Sequence, residues 1–105
     1  MEEKYCMIEV AFGNKKEAKK AIEILLSKKL VGSCQLIKSK SSWNWKNERE
    51  KGKEYLMFVK TKESLQEEIF EEIKNIHSYE TFEFAVFKIE SCNIDYLNWI
   101  DNQTK

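Results

Sequence analysis

One histidine, three cysteines and a short run of carboxylates are the residues with which this 105-residue chain could do chemistry. His77 is the only imidazole, so any function that needs one must use it. In one reading its nitrogen joins Glu80, Glu83 or a cysteine such as Cys34 around a copper or zinc ion. Such ions want three or four well-placed N, S or O donors. One chain offers no cluster of that density, so a second subunit would have to complete the set. In the other reading His77 closes a helix, where a cationic imidazole suits the dipole.

The cysteines, Cys6, Cys34 and Cys92, are odd in number and form no Cys-x-x-Cys pair, which excludes a disulfide framework. Cys6 and Cys34 read as small buried apolar residues, and Cys92 as the most exposed thiol. An enzyme would pair a cysteine with His77, or Glu80 with Glu83 as acid and base. Neither pair has further partners. There is no Gly-rich phosphate loop, nucleophile elbow or zinc-protease signature, and only three glycines occur. A binding protein is expected, not an enzyme.

Charge excludes more. Lysine plus arginine number 18 and aspartate plus glutamate number 18, so nothing draws the chain generally to nucleic acid or to anionic membrane. Lys38, Lys40, Trp43, Trp45, Lys46 and Arg49 mix bases with stacking groups, but glutamates interleave them. The start Met1-Glu2-Glu3-Lys4 lacks the basic head of a secretion signal, and no stretch approaches the ~20 apolar residues of a membrane span. With thiols kept reduced, a cytoplasmic location is expected.

The elements that position these residues follow from periodicity. Tyr5 to Phe12 alternates as a strand, with Cys6, Ile8, Val10 and Phe12 on one side and Met7, Glu9 and Ala11 on the other. Asn14 and Glu17 make a capping pair ahead of a helix running to about Lys29, striped by Ala18, Ala21, Ile22, Leu25 and Leu26. Val31 to Trp45 and Glu54 to Lys60 read as two antiparallel strands, with the polar segment Lys46 to Lys53, containing Gly52, as their turn. Ser64 and Glu67 offer a cap for a second helix with Leu65, Ile69, Ile73 and Ile76 on its apolar face and His77 at its end. Phe82 to Ile89 reads as a fourth strand. Asn93 or Asp95 caps a short last helix through Ile100, followed by frayed polar residues.

The order β-α-β-β-α-β with a terminal helix predicts one α+β domain over 1–105: an antiparallel four-stranded sheet with two helices on one face, of ferredoxin-like type. Helices cover only one face of such a sheet, yet Met7, Ala11, Phe84 and Phe87 carry apolar groups toward both faces, so something must cover the second. Trp43 and Trp45, two apart on a long ribbon, project together and predict contact with another copy of the chain. The other reading has a terminal segment folded over them.

Several of these segments carry a resemblance. Asn14 to Ala21, Trp45 to Glu50, Leu56 to Ser64, His77-Ser78-Tyr79-Glu80 and Asp95 to Ile100, in that order and spacing, resemble the CutA divalent-cation tolerance proteins over nearly the whole chain. The resemblance implies a ferredoxin-like, PII-like homotrimer in which each central hairpin extends a neighbour's sheet. Trp43, Trp45, Tyr55 and Trp99 are then the expected contacts between subunits. It also implies divalent metal, copper in particular, with His77, Glu80, Glu83 and Cys34 as the implied ligands, and a part in the response to metal ions. The alternative it implies is a PII-like sensor holding a small metabolite or anion between subunits, near Lys60, Tyr79 and Glu80. Two departures stand out. Where the family commonly has a first-strand cysteine and a Thr-x-Pro helix entry, this chain reads Val10-Ala11-Phe12-Gly13. The family's His-Pro-Tyr-Glu-x-Pro-Glu appears as His77-Ser78-Tyr79-Glu80-Thr81-Phe82-Glu83, with both prolines gone.

Overall fold

The alternation at the start of the chain builds the sheet. A computed structural model describes residues 3–105; the residues Met1 and Glu2 of the expected non-signal start lie outside it. Strand β1 (Tyr5–Phe12) buries Cys6, Ile8, Val10 and Phe12 completely against the helices, as its period of two requires. Asn14 Oδ1 accepts the Glu17 amide at 2.7 Å. That cap starts α1 (Lys15–Ser27), whose Ala18, Ala21 and Leu25 meet the same core. Strands β2 (Ser33–Trp45) and β3 (Glu48–Lys62) form the long hairpin. Helix α2 (Gln66–Ile76) lays Ile69 and Ile73 beside α1. Strand β4 (Phe84–Lys88) and helix α3 (Ile94–Gln103) complete the chain. The sheet order is β2-β3-β1-β4, antiparallel throughout, which is the ferredoxin-like arrangement.

Four local expectations are corrected. The segment Lys46 to Lys53 is not a turn, because β3 already begins at Glu48. Only Lys46 and Asn47, with φ of 50° and 68°, reverse the chain. Positive φ at both central residues suits a two-residue hairpin loop. Gly52 pairs with Ser41 inside the ribbon. Ser64 does not cap α2, because a single 3-10 turn over Glu63–Leu65 intervenes and no side chain caps the helix. The fourth strand is shorter than Phe82 to Ile89. The tail is anchored: the Lys105 amide donates to the Lys29 carbonyl at 3.0 Å, and its Nζ pairs with Glu68 at 2.7 Å.

The hairpin outruns the rest of the sheet. β1 pairs with β3 only from Tyr55 to Lys62, so the ribbon from Ser39 to Glu54 projects past Phe12, and the molecule measures 46 × 26 × 22 Å. Among the described residues the sheet's second face is covered only at the opposite end, where α3 packs with buried Ile100 and bonds through Tyr96 to Ser33. The C-terminal helix therefore covers one end of that face, while Trp43 and Trp45 remain exposed. Ile37 on β2 and Phe87 on β4, the two edge strands, remain about half exposed on it.

Candidate functional site

At the C-terminal end of α2 the chain folds back onto β1, and His77 is the pin. Its backbone amide caps the helix by donating to the Ile73 carbonyl at 2.9 Å. Its ring lies between Phe12 and Phe82, with centroids 4.7 and 4.5 Å away and both interplanar angles 13°. These are stacked aromatic contacts. Nε2 is 2.7 Å from the Ala11 carbonyl oxygen, and Nδ1 is 3.1 Å from the Tyr79 amide nitrogen. A carbonyl only accepts and an amide only donates, so this pairing has Nε2 donating to Ala11 and Nδ1 accepting from Tyr79, with Glu17 Oε1 3.5 Å from Nδ1. Both nitrogens are spent on the fold. His77 ends the second helix as expected, through its backbone amide and its packing.

The next two residues extend the clasp. The Ser78 amide and hydroxyl both donate to Glu17 Oε1, at 2.9 and 3.2 Å. Tyr79 lays its ring over Gly13 and donates its hydroxyl to Glu54 Oε2 at 3.0 Å. Three elements are thereby tied to a segment without proline. Burial and that bond push the Tyr79 phenol up to about 12.

Beyond the clasp lies a cleft of about 510 Å³ between the projecting hairpin and residues 79–83, with Trp43 and Trp45 on one wall and Tyr79 on the other. A second hollow of about 480 Å³ continues it past Glu50 and Glu80. Glu54 and Glu83 face the first. Partial burial, then the adjoining Glu9 carboxylate and Glu54, hold Glu83 at about 7, far above the usual carboxylate range.

The implied metal ligands are distributed differently. Cys34 sits on the helix side of β2 against the core, and burial pushes its thiol up to about 12. His77 is committed as described, Glu80 is exposed, and Glu83 faces the cleft. Among the described residues no three histidine, cysteine or acidic side chains are grouped to hold a metal ion. The four residues therefore do not fit a copper ion within one protomer. Lys60 is also apart from Tyr79, since it bonds Gln35 at 3.0 Å at the other end of β3. It lies six positions along β3 from Glu54, the partner of Tyr79, which is about 20 Å at strand rise. Of the expected subunit contacts, Trp43, Trp45 and Trp99 are exposed, while Tyr55 packs on the core side.

Sequence reasoning missed Glu9, Gly13, Glu17 and Glu54. Strand parity carries a signal for two of them, since Glu9 and Glu54 fall on the face opposite the core. Nothing local marks Gly13 or Glu17 as partners of a segment more than sixty residues away.

The fold has counterparts among known proteins. The divalent-cation tolerance protein CutA of Thermotoga maritima is 34% identical over 84 residues, covering 77% of this chain and 83% of the relative. That of Pyrococcus horikoshii is 29% identical over 99 residues, covering 94% and 97%. The solved structure described as the periplasmic divalent cation tolerance protein CutA of Archaeoglobus fulgidus superposes with a TM-score of 0.93 at 30% identity, over 96% of this chain and 99% of that one. CutA1 of Oryza sativa superposes at 0.92 with 27% identity, over 97% and 94%. Residues 6–103 match the family model for the CutA1 divalent ion tolerance protein, and the chain belongs to that family.

Proposed function

We propose that this chain works as a homotrimeric binding protein of the divalent-cation tolerance type, in the cytosol and without catalytic activity of its own. The observation that carries the reading is the second sheet face. Ile37 and Phe87 lie half exposed on it, and the indoles of Trp43 and Trp45 stand on the ribbon beyond. Exposed apolar area of this kind on a small domain marks a contact surface. Further copies of the chain are the partners whose projecting ribbons are long enough to cover it. Three unpaired thiols among the described residues favour a reducing compartment.

Copper or another divalent ion belongs to this reading only as an ion shared between copies, with Glu80 and Glu83 as the accessible donors and His77 holding the loop that carries them. The second reading, a small ligand between subunits, is favoured by the cleft itself; its carboxylates argue against an anion. Metal content and mass, measured together on the native, untagged assembly, test the proposal. Three chains with bound divalent ion support it. A metal-free trimer removes the metal and leaves the assembly.

A further inference from the structure

The cleft beside the clasp has a composition that selects a ligand class. One wall is the pair of indoles, Trp43 and Trp45, each nearly two-fifths exposed, and the other is the Tyr79 ring. Between them stand Glu54, fixed by the Tyr79 hydroxyl, and Glu83. Glu50 and Glu80 add negative charge in the adjoining hollow. Lys40 is the one basic side chain among the described residues lining either space. Trp45 also already receives a cation, because Lys46 Nζ lies 5.4 Å from its ring centroid. That is within reach of a cation-π contact. The cleft's volume of about 510 Å³ falls in the range of small-molecule sites.

A hydrated metal ion would use the carboxylates and leave the indoles idle. An anion would meet repulsion from Glu54 and Glu83. A purely apolar ligand would strand two carboxylates away from water, which is costly. We propose that the cleft binds a small organic cation, an alkylammonium or guanidinium compound, with its charged end at Glu54 and Glu83 and its stem against Trp43 and Trp45. Burial first, and then the Glu9 and Glu54 carboxylates, raise the proton affinity of Glu83. This binding deepens the second reading, a small ligand between subunits, and rests on the cleft staying open where neighbouring copies meet the ribbon; it holds with or without the metal.

Putrescine and tetramethylammonium, titrated into the chelator-treated native assembly at constant ionic strength, test the proposal through tryptophan fluorescence and calorimetry. The expected result is saturable binding of at least one of them. Trp45→Leu and Glu83→Gln should each weaken it about tenfold, the scale of one cation-π contact or one charge-assisted hydrogen bond. The mass of each sample is read alongside, so that loss of assembly is distinguished from loss of ligand. If Trp45→Leu alters the mass, Glu83→Gln decides. No saturable response, a response matched by sodium chloride, or an affinity unchanged in Glu83→Gln overturns the proposal.

Discussion

Tyr79 lies so close to Gly13 that a β-carbon at position 13 would stand 2.7 Å from the phenol oxygen and 2.8 Å from Cε1. Both of those atoms belong to the far part of a side chain that can rotate. Gly13→Ala should therefore displace the Tyr79 ring and break its bond to Glu54 while leaving the backbone of β1 in place. The expected cost is about 1 kcal/mol, the net worth of one hydrogen bond. Denaturant unfolding checks the magnitude. Tyr79→Phe, which loses the bond without a clash, should cost a similar amount.

His77→Ala should be far more damaging. It removes a ring stacked on two phenylalanines and two hydrogen bonds, and it leaves the Ala11 carbonyl and the Tyr79 amide to find new partners. A loss of about 3 kcal/mol is expected, in the range of large-to-small core substitutions. His77→Gln, which keeps a donor and an acceptor, should recover part of it. If His77→Ala unfolds at the same denaturant concentration as the parent chain, the clasp does not have the role assigned to it.

The clasp also marks where the sequence stops being legible. Strand β1, the two main amphipathic helices, the strand order and the uncovered second face all follow from periods of two and 3.6. The sandwich of Phe12, His77 and Phe82 does not, because it joins residues 65 apart and no local pattern announces it. The ribbon from Glu48 to Lys53 reads as a turn because it is charged and contains Gly52. Its pairing beyond the core needs only backbone hydrogen bonds, so no apolar alternation is required there. Among the candidate ligands, Glu80 lies on the loop after His77 as its position in the chain dictates, whereas Glu83, read as part of the fourth strand, also lies on that loop because β4 begins only at Phe84. The chemistry of His77 depends on partners from β1 that spacing does not reveal.

Glu83 gives the chain a pH dependence of definite sign. Its proton affinity rises from an ordinary 4.5 to about 7 on folding, first through burial and then through Glu9. The folded state thus holds a proton that the unfolded chain has released between those values. Stability from this group is full below about 4.5 and is lost as pH climbs through 7. Glu83→Gln should flatten that decline. Thermal midpoints of both proteins across pH 4.5 to 8 would show it, and parallel curves would contradict it.

Thiol reactivity should be ordered by burial. Burial, and then Glu63, push Cys6 up to about 11, and burial pushes Cys34 to about 12, so both present almost no thiolate at neutral pH. Cys92 lies outside the core, before α3, with its thiol against Asn93. A thiol-specific chromogenic reagent at pH 8 should modify Cys92 first, with the other two following only on unfolding. Three equal rates would contradict the burial described.

The claim on which the account rests is that the open sheet face and the projecting ribbon are covered by other copies of the chain. Sedimentation equilibrium of the untagged protein at micromolar concentration tests it directly. The account predicts a stable species of three 12.5 kDa chains that withstands dilution. A well-folded 12.5 kDa monomer under those conditions would contradict it.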